Sequence, residues 1–266
     1  MNVSELLAKY QKLGIEDVMD YERFNLISID HYSTKIEGST LTEVEAQVLI
    51  EEGLTPLGKP LGDSLMVSDH HAALLYTLEN AKQKKSLTIT LLQAINALVL
   101  KSTGKIYANV LGTIDTRTGD FRNGNVSAGV SYFPNYDKAE SMTTALVKKI
   151  NDAIKGGSSM QELLELSFDA HFNLVSIHPW FDGNGRTSRL LMNYIQAYYG
   201  LPLAIVRSEN KVAYIEALVE TRKEENIQIF RDFMYGEYAV MLQNEIEKFE
   251  QMNKPDRGRG GYTFLF

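Results

Sequence analysis

Apolar residues recur at the 3.6-residue period of an amphipathic helix over most of this 266-residue chain, and the period lapses for any length only between Tyr107 and Pro134. That pattern makes the chain mainly α, with one non-helical insertion. Helices are predicted near Ser4–Leu13, Ile15–Gly38 (with a break), Thr42–Glu52, Ser64–Lys84 and Thr90–Ser102, then Asp137–Lys155, Met160–Ile177, Gly185–Tyr199, Lys211–Lys223 and Ile227–Glu250. A Gly/Pro-rich connector, Gly53–Asp63, precedes the fourth. Gly156-Gly157-Ser158-Ser159 separates two others as a C-cap followed by an N-cap. Within the insertion, Val126, Val130, Tyr132 and Phe133 favour strands and Asn123-Gly124-Asn125 is a turn signal, which predicts a small β-hairpin near Phe121–Phe133.

The chain divides by pattern into an N-terminal helical region (1–84), a core with the insertion (85–252) and a tail (253–266) whose apolar end, Tyr262–Phe266, is placed to dock on the body or a partner. Hydrophobic residues make up 44%, enough for a sizeable core. A net charge of −7 argues against nucleic acid or an anionic membrane as partner. Absence of cysteine excludes disulfides, thiolate metal sites and cysteine nucleophiles, and fits a reducing compartment. With no secretory leader and no apolar run near the ~20 residues of a membrane helix, a cytoplasmic location is expected.

The densest chemistry lies in His178-Pro179-Trp180-Phe181-Asp182-Gly183-Asn184-Gly185-Arg186-Thr187-Ser188-Arg189. Gly183 and Gly185 flank Asn184 and let backbone approach a ligand closely. The following helix offers free N–H groups and the positive end of its dipole, an anion nest suited to phosphates. Arg186 and Arg189, three residues apart, share a helix face and carry forks that match phosphate oxygens. Asp182 beside them needs a cation between itself and a phosphate, and Mg²⁺ (or Mn²⁺) suits that place. His178 is a candidate base for an incoming hydroxyl, and Pro179 after it predicts an extended backbone there. Trp180 and Phe181 read as packing residues, one of them anchoring the turn.

This segment resembles the signature of Fic-domain proteins, His-Pro-Phe-x-(Asp/Glu)-Gly-Asn-Gly-Arg-x-x-Arg, departing from it only at Trp180. The resemblance extends roughly over residues 25–250. It implies a helical bundle whose signature joins two helices, and transfer of AMP from ATP to a Ser, Thr or Tyr hydroxyl of a protein, with a homodimer left open. It implies His178 as the base, Asp182 as the metal ligand, Gly183, Asn184 and Gly185 as the phosphate cradle, and Arg186 and Arg189 at the β/γ end. Glycine at 185, where kinase-like relatives carry lysine, favours adenylyl over phosphoryl transfer. Tyr214 falls where the family often lines the adenine pocket. The insertion resembles the family's flap, whose strand lays a target peptide across the site by β-augmentation; Val126, Ser127, Ala128, Gly129 and Val130 are the expected docking strand.

A second, shorter pattern, Ser33-x-x-x-Glu37-Gly38, has a plain reading as a helix end with Gly38 just past it. It also resembles the inhibitory motif of the Fic subclass whose blocking helix precedes the core. That resemblance implies Glu37 in a bidentate pair with Arg189, on the ground of the γ-phosphate. Two alternatives stay open: a phosphodiesterase that uses Glu37 to remove AMP, and a nucleotide-sensing protein without catalysis. Among the other histidines, His171 reads as structural. His70 and His71, being adjacent, face different sides of a helix and make a poor metal pair.

Overall fold

Over the residues that the computed structural model describes, 2–15, 19–129, 131–156 and 159–253, the helical period becomes ten α-helices. They are α1 (Val3–Leu13), α2 (Met19–Ile36), α3 (Glu43–Glu52), α4 (Leu61–Lys82), α5 (Ile89–Val99), α6 (Tyr136–Lys155), α7 (Met160–Ile177), α8 (Asn184–Tyr198), α9 (Lys211–Glu224) and α10 (Ile227–Met252). Local chemistry sets several starts. Asn2 with Glu5, Thr42 with Glu45 and Ser159 with Glu162 each form a reciprocal capping box that satisfies two free backbone donors. The connector before α4 is shorter than its composition suggests, because α4 already begins at Leu61. Gly157, Ser158, Val130 and the tail from residue 254, with its Tyr262–Phe266 end, lie outside the described residues.

α8 is the axis of the bundle. Every residue from Arg186 to Gln196 is buried, a pattern expected of a helix wrapped by others rather than lying at a surface. Its polar side chains are accordingly paired. Gln196 Nε2 donates to Ser167 Oγ on α7 (3.0 Å), Gln196 Oε1 accepts from Ala204 N (2.8 Å), and Asn193 Nδ2 donates to Ala204 O (3.1 Å). α7, α4 and α5 pack round it, and one continuous apolar core runs from Leu6 on α1 to Ile246 on α10. A small satellite cluster, Leu41, Ala46, Leu49 and Val67, seats α3 on α4.

The insertion holds two hairpins where the sequence suggests one. β1 (Ile106–Asn109) pairs antiparallel with β2 (Gly112–Asp115), Ile106 opposite Asp115. β3 (Ser127–Ala128) pairs with β4 (Ser131–Tyr132), Ser127 opposite Tyr132. The first escapes sequence patterning because neither strand buries a face: Ile106, Val110 and Leu111 are all exposed, so there is no apolar alternation to read. The second is only two residues per strand, and its turn is not Asn123-Gly124-Asn125. That signal marks a bend before β3, which Asn109 Nδ2 holds by donating to Asn123 Oδ1 (2.8 Å).

Candidate active site

The turn between α7 and α8 is fixed residue by residue. His178 closes α7 in a left-handed conformation (φ 52°, ψ 57°), its N–H bonded to Leu174 O at 3.0 Å. This corrects the extended backbone expected ahead of Pro179: closing the helix takes precedence, at a cost on the order of 1–2 kcal/mol for a side-chain-bearing residue. Trp180 is the anchor. It is 1% exposed, and its indole N–H donates to Gly119 O at 2.9 Å. Phe181 instead stacks on Tyr107 of β1, ring centres 4.8 Å apart. Asn184 braces the turn from within, accepting from Trp180 N (3.0 Å) and donating to Trp180 O (2.9 Å). Gly183 has φ 77°, and a Cβ there would lie 2.6 Å from Asn96 Nδ2. That amide donates to Asp182 O and to Thr187 Oγ1, so turn, α5 and α8 lock together around glycine.

The start of α8 has no side-chain cap among the described residues. A carboxylate stands there instead. A Cβ on Gly185 would lie 2.6 Å from Glu37 Oε1 and 3.3 Å from Arg189 Nη1, so Glu37 sits directly over the glycine. Arg189 Nη2 donates to Glu37 Oε1 (2.8 Å) and to Ser33 O (2.9 Å), and Arg189 Nε donates to Ser33 Oγ (2.9 Å). The expected bidentate Glu37–Arg189 pair is therefore a single contact, because Ser33 takes up the rest of that edge. Arg189 Nη1 and Arg186 Nε are buried with no hydrogen-bond partner among the described residues. Burial pushes the Glu37 carboxyl up, but Arg189, Arg186 and Lys211 outweigh it and hold the group below its ordinary value, ionised. Gly38, at φ 110°, ends the segment, so the plain reading of a helix end holds alongside the contact with Arg189.

His178 Nδ1 lies 3.3 Å from Val175 O. A carbonyl only accepts, so Nδ1 carries the hydrogen and Nε2 keeps the lone pair. Burial drives the imidazole down to about 4; the bond to Val175 opposes this, while Arg122 and Arg222 assist. His178 is thus neutral at physiological pH. Its ring stacks face to face on Phe133, just past β4, with centres 3.9 Å apart. Arg122, 2% exposed, ties the same parts together. Its Nε donates to His178 O (2.8 Å), Nη1 to Gly124 O (2.8 Å) and Nη2 to Pro134 O, while its backbone N–H reaches Pro179 O (3.0 Å). Sequence reasoning missed Phe133 and Arg122 as site residues. The only available signal was an arginine and an aromatic at the two ends of the insertion.

Residues 86–196 match the Fic/DOC family. These residues form a Fic domain. Around it, 28% of 190 residues are identical to the protein adenylyltransferase Fic of Drosophila willistoni, covering 71% of this chain and 35% of that protein. The chain spans little more than a third of the length of the curated relatives it matches. In fold it is similar to a Fic domain containing signaling protein from Bacteroides thetaiotaomicron (TM-score 0.81, 23% identity, 97% of this chain and 100% of that one). It is also similar to Fic-1 of C. elegans (TM-score 0.73, 22% identity, 94% and 72%).

The Fic domain as matched contains His178, Asp182, Gly183, Asn184, Gly185, Arg186 and Arg189 together with the insertion, whereas Ser33 reaches it from α2, Glu37 and Gly38 from the turn just after α2, and Tyr214 from α9. Tyr214 is 2% exposed. Its hydroxyl meets His171 Nε2 at 2.8 Å and its ring packs near Phe230 and Phe233, so in this conformation it offers no open face to an adenine. Of the expected docking strand, Ser127, Ala128 and Gly129 are exposed and Val126 is half-buried. No cluster of three or more His, Asp or Glu suited to a metal occurs among the described residues. A single carboxylate still fits a cation shared with phosphates. The Asp182 side chain is 42% exposed, and both its contacts, Gly183 N (2.5 Å) and Arg186 Nη2 (3.2 Å), fall on Oδ1, leaving Oδ2 for a metal. No helix among the described residues is long and apolar enough to cross a membrane.

Proposed function

We propose that this chain transfers AMP from ATP to a Ser, Thr or Tyr hydroxyl of a protein, itself included, and that Ser33 and Glu37 hold it in an inhibited state. The observation that carries the reading is the ionised Glu37 carboxylate seated over Gly185 and on Arg189, with the neutral His178 base nearby on the same turn. An anion from the chain itself occupies a helix N-terminus built to receive one. In the reaction, the target hydroxyl oxygen attacks the α-phosphorus, its proton passes to His178 Nε2, and the bond to pyrophosphate breaks. Arg186 and Arg189 hold the departing β/γ end, and backbone N–H groups of Gly183–Gly185 hold the phosphates. Asp182 would hold Mg²⁺, whose chemistry is to neutralise phosphate charge. The exposed backbone of Ser127–Gly129 would pair with the target peptide, and Phe133 would keep the His178 ring in register with it. The names of the curated relatives support this activity.

A second reading has one observation in its favour. The Glu37 side chain keeps 32% of its surface exposed, so its carboxylate can also orient a water for removal of AMP from a modified protein. Incubation with α-labelled ATP tests the first reading: Glu37→Gly should label protein and Glu37→Gly with His178→Ala should not. If neither labels, while AMP-modified protein loses AMP only when Glu37 is present, the hydrolase replaces the transferase. Nucleotide binding without either reaction would leave a sensor.

A further inference from the structure

Asp30 has no exposed surface, yet it carries a charge into the packing of α2 on α4. Its Oδ1 lies 2.6 Å from His70 Nδ1 and its Oδ2 lies 2.7 Å from His71 Nδ1. The adjacent histidines, expected on different sides of α4, both turn their rings to one carboxylate. A carboxylate only accepts, so both Nδ1 atoms carry hydrogen. His70 is wholly buried, and burial holds it below its ordinary value despite Asp30, so it is the neutral partner. His71 is 24% exposed and opens on a cavity of about 410 Å³ shared with Arg23, Ile50 and Glu51. Burial pushes His71 down, but Asp30 outweighs it and holds the imidazole above its ordinary value.

Asp30, Ser33 and Glu37 follow one another at spacings of three and four, the stripe of a single helix face carried past the end of α2. α2 packs chiefly on α4 and α3 and much less on α8, so its place over the active site is set mainly by its seat on α4. Glu37 lies about 10 Å along the helix axis from Asp30 at 1.5 Å per residue. A small tilt about the Asp30 seat therefore moves Glu37 off Arg189.

We propose that Asp30, clasped between His70 and His71, is a positioning residue for the inhibitory contact: the clasp sets how much of the time Ser33 and Glu37 occupy Arg189. This rests on the proposed reading of Glu37 as an inhibitor of AMP transfer. Among the described residues the hydrogen bonds of His70 and His71 go to Asp30 and not to His178 or the start of α8, although His70 feels the charges of Arg186 and Arg189.

The test uses the full chain, with Asp30→Ala, His71→Ala and His71→Asn made both with Glu37 present and in Glu37→Gly. Asparagine places an N–H donor close to the position of His71 Nδ1 and serves as the conservative variant. With Glu37 present, Asp30→Ala and His71→Ala should raise transfer from α-labelled ATP about 5–20-fold, within the usual range of coupling between sites, and His71→Asn should stay near the parent. In Glu37→Gly the same changes should alter transfer by less than about twofold, because the contact they act through is gone. Backbone hydrogen exchange at residues 33–38 should quicken in His71→Ala. Unchanged transfer in His71→Ala, or equal gains with and without Glu37, overturns the proposal. If Glu37→Gly itself transfers nothing, the transferase reading fails separately, and the exchange of residues 33–38 still decides whether the clasp holds α2.

Discussion

Replacing Glu37 should make the protein faster and less stable at once, and the size of both effects follows from the contacts of one arginine. Arg189 is 4% exposed and Glu37 meets it through a single 2.8 Å bond. Bare charges at that distance attract by about 6 kcal/mol at an effective dielectric constant of about 20. With about a third of Glu37 in solvent, screening and desolvation reduce the net value to the ~1.5–3 kcal/mol typical of a charge-assisted hydrogen bond. If that contact must open before ATP can align, its removal raises the transfer rate by roughly 10–150-fold. Glutamine keeps an acceptor but loses the charge, so Glu37→Gln should fall between parent and Glu37→Gly. The buried Arg189 then loses its counter-charge, and melting should drop by a few degrees. The rate is measured by single-turnover transfer from α-labelled ATP, and binding by calorimetry with a non-hydrolysable analogue. A Glu37→Gly protein that binds the analogue at least as tightly as the parent but transfers no faster refutes the reasoning.

In the Glu37→Gly background, His178→Ala should cut transfer by at least ~100-fold with analogue binding intact, since a general base contributes about that much. His178 is depressed to about 4, so it is the neutral form that serves as base and it is lost only as pH falls through that value. Transfer by Glu37→Gly should then be flat between about pH 6 and 8, and the imidazole proton resonances should not titrate there; a midpoint near 6.5 would show a solvated ring. Gly183→Ala should cost ~1–3 kcal/mol by chemical denaturation, because the residue is left-handed and its new Cβ would meet Asn96 Nδ2 at 2.6 Å; an unchanged midpoint would mean that the turn relaxes freely. Asp182→Asn should raise the Mg²⁺ concentration for half-maximal transfer about tenfold or more, and an unchanged requirement would place the metal elsewhere.

Most helices were legible from the apolar period, although α8 is buried on all sides rather than along one stripe, and the limits agree with the period to within a few residues wherever a cap such as Thr42 or Ser159 marks the start. The turn at His178–Arg189 was legible because its chemistry is local: every part lies within twelve residues. What joins the site across the chain was not. Arg122 acts through carbonyls of His178, Gly124 and Pro134, and a carbonyl has no residue type to read. Asp30 with His70 and His71 spans some forty positions, and helical geometry alone argued against both rings meeting one group. The β1–β2 hairpin left no pattern because its side chains face solvent.

On the proposed reading, Glu37 and a nucleotide phosphate would compete for the same features, which limits how such a site could be released. Gly185 lets Glu37 Oε1 close on the backbone because it has no Cβ, and the same open backbone would admit a phosphate oxygen. A Cβ at 185 would meet Glu37 Oε1 at 2.6 Å, so a side chain there would displace Glu37 and change how a phosphate approaches. Arg189 binds Ser33 and Glu37 through Nε and Nη2, so on that reading removing the guanidinium would abolish inhibition and anion binding together. Neither Gly185 nor Arg189 could then be changed without affecting both functions. On the proposed reading, separation would come from α2 and the turn after it, either at the contact itself, through Glu37, or at the seat that holds it, through Asp30 and His71. On that reading a physiological stimulus would face the same restriction: to switch transfer on without damaging the site, it would have to move α2.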